Sequence, residues 1–128
     1  MLETGIKMES SVLVTENNTA MAVGSGSLPV FATPALAALA EKTSCRLLEG
    51  KLEEGTTTVG SMIGIKHLAP TPVGMSVKCV CTLIEVDGRR LAFEMELFDE
   101  AGKIGEVQHE RFIVRIQSFM EKANAKLG

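Results

Sequence analysis

The stretch from Thr33 to Gly50 restricts the fold of this chain more than any other. Threonine is a helix-capping residue type, because its hydroxyl can accept a bond from an unpaired backbone N–H. Pro34 then falls at the first helical position, where a missing N–H costs nothing. Ala35 to Ala40 is a run of strong helix formers. The pattern predicts a helix to about Glu49, stopped by Gly50. No charge interrupts its first half before Glu41. A helix of that kind is buried on most sides, so the remainder of the chain has to wrap it.

The remainder reads as strands. Ile6 to Val14 is expected to be the first, followed by a turn at Asn17-Asn18. Ser25-Gly26-Ser27 is a flexible approach to the helix. Beyond the helix, Thr56 to Leu68 is rich in β-branched and apolar residues and ends at Pro70-Thr71-Pro72. Met75 to Val86 follows, and Asp87-Gly88 is a tight-turn signal. From Leu91 to Phe98 the residues alternate, with Leu91, Phe93, Met95 and Leu97 on one face. Ala101-Gly102 turns the chain into a last strand, Ile104 to Ile116. Its alternation breaks between Val107 and Phe112, which points to a bulge or a site. Ser118 to Gly128 is a short helix or a frayed end. The order is strand, helix, then four strands joined by hairpins, an α+β arrangement in one domain over residues 1–128.

Composition excludes several functions. The formal net charge is -3, and there is no Trp or Tyr. Nucleic acid is therefore not the expected partner, since it needs a positive surface or stacking aromatics. No stretch reaches the roughly 20 apolar residues of a membrane span, and residues 1–10 lack the order of a signal peptide. A cytoplasmic protein is expected. Three cysteines are too few for a disulfide framework. Cys79 and Cys81 lack zinc-site spacing and read as buried thiols, with no metal expected.

Two groups stand where an apolar face should be. On a helical wheel Lys42, Arg46 and Glu49 form the solvated side. Pro34, Ala37, Ala38, Glu41, Cys45 and Leu48 form the other, where Glu41 alone carries a charge. Glu41 either reaches out to solvent or an arginine, or works as an acid–base group. In the second strand Val59, Ile63, Ile65 and His67 share one face by alternation, and Thr58, Gly60, Met62, Gly64 and Lys66 the other. His67 is either a hydrogen-bonded core residue or the partner of Glu41. Thr33 is a cap, or it marks a helix start whose free N–H groups hold a carbonyl oxygen as it gains charge. His109-Glu110-Arg111 is a surface ionic run, or Arg111 steadies a bound anion.

Several segments taken together resemble the fluoroacetyl-CoA thioesterase-like family of hotdog proteins. They are Val30-Phe31-Ala32-Thr33, the helix with Glu41, Ile65-Lys66-His67-Leu68-Ala69-Pro70-Thr71-Pro72-Val73-Gly74, Glu85-Val86-Asp87-Gly88-Arg89-Arg90-Leu91 and His109-Glu110-Arg111. The resemblance runs from about Val30 to the last strand. It implies a hotdog fold: a five-stranded antiparallel sheet wrapped around one long central helix. It implies a catalytic set of Thr33, Glu41 and His67, with Gly60 and Arg111 matching a family glycine and arginine and Phe31 beside the substrate. It also implies an acyl-CoA substrate and a homodimer or tetramer with the thioester near the subunit interface.

Fluoroacetate-specific members carry a bulky aromatic lid ahead of the Val-Phe-Ala-Thr segment. Here that region is Gly24-Ser25-Gly26-Ser27-Leu28-Pro29, and no aromatic residue precedes Phe31. A short-chain acyl-CoA without fluoroacetyl selectivity is the expected substrate. Glu41 would activate water or attack the carbonyl, and His67 would move a proton. Lys66, Arg89 and Arg90 are candidates for the CoA phosphates. The chemistry needs no cofactor. A protein that binds acyl-CoA without cleaving it is the alternative. A hydratase would use an acid other than the first Asp of the chain, Asp87. A bare dimerisation module would have no pocket beside Glu41.

Overall fold

The computed structural model describes residues 2–128. Strand β1 (Lys7–Leu13) leads into a 3-10 turn (Glu16–Asn18) and a single helical turn, α1 (Ala20–Val23). The central helix α2 spans Thr33–Leu48. Strands β2 (Thr56–His67), β3 (Ser76–Asp87), β4 (Arg90–Phe98) and β5 (Lys103–Arg115) follow. A C-terminal helix, α3 (Ile116–Asn124), begins on the residue expected to end the last strand and runs into a 3-10 turn.

The five strands form one antiparallel sheet in the order β1-β3-β4-β5-β2. Helix α2 packs against β1 and β2, the two opposite edges, as well as against β3. A sheet whose two edges both touch one helix has to curl around it, as expected. The joint between β2 and β3 is not a hairpin, however. β1 already occupies the place beside β3, so β2 pairs with β5 at the far edge and residues 68–75 cross the end of the sheet.

Alternation positions the core. Leu91, Phe93, Met95 and Leu97 of β4 are all buried against α2, while Glu94 and Glu96 face outward. The helix contributes Leu36, Leu39, Ala40, Leu47 and Leu48 to the same core. The wheel reading of α2 needs correction here. The buried face holds the leucines together with Thr43 and Ser44, whereas Pro34, Ala38 and Cys45 are exposed and Ala37 and Glu41 half-buried. The bulkier leucines win the sheet because they remove more apolar area from water. The small-residue stripe is left bare in the single chain. Burial pushes the Cys79 and Cys81 thiols up to about 11 and about 12, so both are inert core groups.

Two backbone details move side chains relative to the sequence reading. β2 slips register between Gly60 and Met62: Gly60 faces Arg111, while Met62 faces Glu110. That bulge at Ser61 inverts the alternation. Thr58 and Gly60 therefore share the inner face with Ile63, Ile65 and His67, and Val59 does not. β5, by contrast, keeps its alternation through this region. Its apparent break arises because two inward positions carry His109 and Arg111 rather than apolar residues.

Candidate active site

The approach to α2 is pinned on both sides. Phe31 N–H donates to the Thr71 carbonyl at 2.9 Å, and Ala32 N–H donates to the Asn18 carbonyl at 3.0 Å. Ala32 takes the cap position, and Thr33 is the first helical residue. Its hydroxyl therefore does not close the helix end. It lies 2.8 Å from His67 Nδ1, at the last position of β2. Leu68 N–H donates to Ile104 at 2.7 Å and fixes the strand end that carries His67. Burial lowers the His67 pKa from its ordinary value, which favours the neutral ring. The other ring nitrogen, Nε2, is buried without a hydrogen-bond partner. A cavity of about 340 Å³ opens beside the pair, walled by Ala20, Ser25, Ala69 and Pro70. Thr33, whose N–H is a first-turn donor, also lines this cavity, and the Ala35 N–H is the next donor along the helix, Pro34 having none.

Glu41 stands elsewhere. Its carboxylate Oε2 lies 3.4 Å from Arg111 Nη1 and 3.9 Å from His109 Nε2. Arg111 is only 6% exposed, and β2 and β5 hold it rigidly: Nε donates to Thr58 Oγ1 at 2.9 Å and Nη2 to the Thr58 carbonyl at 3.1 Å. Its Nη1 also meets His109 Nε2 at 3.1 Å. These partners fix the state of His109. A carbonyl can only accept, so Nδ1–H must donate to Met62 O, at 2.7 Å. An arginine can only donate, so Nε2 must carry a lone pair. Burial, aided by the Arg111 charge, lowers the His109 pKa in the same sense, against the opposing pull of the Met62 carbonyl bond and the nearby carboxylates. His109 is neutral, and its approach to Glu41 is not an ion pair. Gly60 makes the cluster possible. A methyl there would stand 2.6 Å from Glu41 Oε2 and 3.3 Å from His109 Cε1.

Thr33 and Glu41 are eight residues apart on one helix, about 12 Å along its axis. Among the described residues no hydrogen bond or ion pair joins Glu41 to Thr33 or His67. The chain thus carries two separate clusters, Thr33 with His67 and Glu41 with Arg111 and Gly60. Phe31 borders the small cavity but is 1% exposed and belongs to the core. Arg90 is engaged by Glu85 and Glu110. Lys66 pairs across the strands with Glu106 on the outer face of the sheet. Arg89 projects from the β3–β4 turn without a carboxylate partner among the described residues.

His109 and Thr58 are members of the Glu41 cluster that sequence reasoning did not place there. The spacing of Val107, His109 and Arg111 was a usable signal, because it continues the inward register of β5. Thr58 was hidden by the bulge.

The sequence profile described as fluoroacetyl-CoA-specific thioesterase matches residues 14–117. A fluoroacetyl-CoA thioesterase of Streptantibioticus cattleyicolor is 34% identical over 97 residues, 76% of this chain and 70% of that one. The solved structure of the fluoroacetyl-CoA thioesterase FlK superposes with a TM-score of 0.92 at 28% identity, covering 98% of each chain. A thioesterase superfamily member from Thermus thermophilus gives a TM-score of 0.88 at 25% identity, covering 98% of this chain and 95% of that one. The curled sheet around α2 is the hotdog fold, and the chain belongs to the fluoroacetyl-CoA-specific thioesterase family.

Proposed function

We propose that the protein hydrolyses a short-chain acyl-CoA thioester to the free acid and CoA, and that it does so as a homodimer with composite active sites. The observation that carries this reading is the Thr33–His67 hydrogen bond at the start of α2, beside a small cavity. A hydroxyl 2.8 Å from a ring nitrogen kept neutral by burial has the geometry of an activated nucleophile. Thr33 Oγ attacks the thioester carbonyl and its proton passes to His67. The first-turn N–H groups of Thr33 and Ala35 hold the oxyanion. The C–S bond breaks and His67 returns the proton to the leaving thiolate. Water then attacks the acyl-threonine ester, giving its proton to a carboxylate, Glu41. As the ester C–O bond breaks, that proton returns to Thr33 Oγ.

The dimer brings that carboxylate into reach. The bare stripe Pro34, Ala38 and Cys45 lies on one side of α2, and β2 is an edge strand with Met62 and Ile63 exposed. A two-fold contact uses the same patch on both copies. If two α2 helices run antiparallel about the level of Ala37, midway between Thr33 and Glu41, then Glu41 of the partner subunit stands level with Thr33. Glu41, whose side chain is 45% exposed in the single chain, is then covered by the partner. The absence of an aromatic ahead of Phe31 supports a short acyl group other than fluoroacetyl as the preferred one. Three free thiols suit a reducing cytoplasm. No helix of the described residues is long and apolar enough to cross a membrane.

The test is thiol release from acyl-CoAs of rising chain length by wild type and Glu41→Ala. The expected loss in the variant is on the order of a hundredfold. Mass spectrometry should then find an acyl group retained on Thr33. If wild type binds acyl-CoA but releases no thiol above background, the non-catalytic acyl-CoA binder is the better account.

A further inference from the structure

Residues 68–75, which cross the end of the sheet, hold a buried polar group that the proposed chemistry does not use. Thr71 is 0% exposed between Pro70 and Pro72, and its hydroxyl donates to Asp99 Oδ2 at 2.8 Å. Asp99, half-buried in the turn after β4, is itself fixed. Its Oδ1 accepts from the Ala101 N–H at 2.8 Å and the Gly102 N–H at 3.1 Å, and its own N–H donates to the Gly102 carbonyl at 2.9 Å. Burial pushes the Asp99 pKa up, but the bonds from Thr71, Ala101 and Gly102 outweigh it and hold the carboxyl below its ordinary value. Thr71 therefore bonds to a carboxylate, the stronger kind of acceptor. The ends of the segment do not need this bond. Leu68 and Ala69 N–H donate to the Ile104 carbonyl, and the Gly74 N–H and the Met75 carbonyl pair with Val14.

Thr71 is instead the residue that meets the approach to α2. Its carbonyl accepts the Phe31 N–H at 2.9 Å, among the described residues the one backbone hydrogen bond between the two segments. Phe31 is two residues before Thr33, and Thr71 is four after His67. Thr33–His67 and Phe31–Thr71 are thus the two rungs of one short closed ring of chain. Pro70 and Pro72 stiffen it, because each fixes its own φ and restricts the residue before it. Ala69 and Pro70 of the same ring wall the cavity beside Thr33. We infer that Thr71 and Asp99 are positioning residues, which hold the far rung so that Thr33 Oγ and His67 Nδ1 stay in reacting register. The inference rests on the thioesterase reading and deepens it. Among the described residues no titratable group other than His67 lines that cavity, so the ionisation of the ring reports on its own surroundings.

The chain has two histidines, so an NMR titration of the ring protons of the whole protein follows each of them without turnover. Thr71→Val keeps the shape and the Phe31 bond and removes only the hydroxyl. A pair that parts lets water reach the ring, so the His67 midpoint should rise toward the ordinary 6.5. The His109 midpoint, held by Met62 and Arg111, should stay where it is in wild type. In kinetics kcat should fall roughly tenfold with KM for acyl-CoA close to that of wild type, since a small misplacement at the reacting atoms acts on the chemical step. Thr71→Ser, which keeps the hydroxyl, should restore both readouts. Asp99→Ala should shift them in the same direction as Thr71→Val, and makes the same cut from the other side should Thr71→Val not fold. In an active enzyme, an unmoved kcat or an unmoved His67 midpoint overturns the inference, even where Tm falls. So does a parallel shift of His109, which marks general loosening. Failure of the thioesterase reading looks different: wild type releases no thiol, whatever the two rings do.

Discussion

Thr33 and His67 are joined by one hydrogen bond between an exposed hydroxyl and a ring whose second nitrogen has no partner. Arg111, in contrast, makes four contacts, to Thr58 twice, to His109 and to Glu41, while almost wholly buried. The first pair is open on the side where chemistry would occur. The second is a fixed mount whose one free arm is the half-exposed carboxylate of Glu41. The contrast separates two jobs: reactivity needs an unsatisfied group, and positioning needs a satisfied one. On the composite-site proposal the two clusters lie about 12 Å apart in one chain because each would be completed by the partner subunit.

The strongest way to break the comparison is to mix Thr33→Ala protein with Glu41→Ala protein. Each alone should be inactive. If the halves come from different subunits, a mixed dimer holds one site with both groups intact, and full exchange should restore about a quarter of wild-type activity. If both halves serve one chain, no mixture regains activity, and the composite site is wrong although thioester cleavage stands.

The mount itself can be damaged in two ways with opposite signatures. Arg111→Met strands His109 Nε2 and the Thr58 carbonyl in the interior. That should cost about 2 kcal/mol of stability, seen as a lower Tm; the released Glu41 adds little because it can turn to solvent. Gly60→Ala should cost about 1 kcal/mol of stability, less than Arg111→Met, because its severe clash is with the free end of Glu41 and the His109 ring, at 3.3 Å, has to give only slightly. It should nevertheless lower kcat by roughly tenfold or more, since it drives Glu41 off Arg111. Equal Tm losses in the two variants would mean that Gly60 belongs to the scaffold rather than to the placement of the carboxylate.

How much of this was legible follows the same divide. Helix α2 and the β4 pattern rest on local rules, residue propensity and a two-residue period, and both were readable. The extra residue at Ser61 leaves no mark in composition, yet it moves Gly60 and Thr58 to the inner face. His109 and Arg111 interrupt the hydrophobic alternation of β5, because a buried polar network breaks that pattern without breaking the strand. The helix face is ambiguous in the sequence for a related reason. An apolar stripe signals burial but does not say whether this sheet or another copy provides it. Which carboxylate meets which hydroxyl is a tertiary matter, and the spacing of Thr33 and Glu41 fixed only their separation.

The smallest expected effect concerns pH. His67 and His109 both have folded-state pKa values below the ordinary 6.5. Between pH 6.5 and those lowered values the unfolded chain binds more protons than the folded one, so stability is full above pH 6.5 and falls as pH drops through that window. The two rings differ in what protonation breaks. Charging His109 sets a cation against Arg111, so it should loosen the mount and appear as a falling Tm. Charging His67 removes the base from Thr33, so it should appear as an acid limb in kcat/KM, with its midpoint below 6.5. His109→Gln offers an amide in place of the ring. It should flatten part of the Tm profile while leaving the midpoint of the kinetic limb where it was. A limb that moves with His109→Gln would show that the two halves titrate as one unit, and the separation of reactivity from positioning would fail.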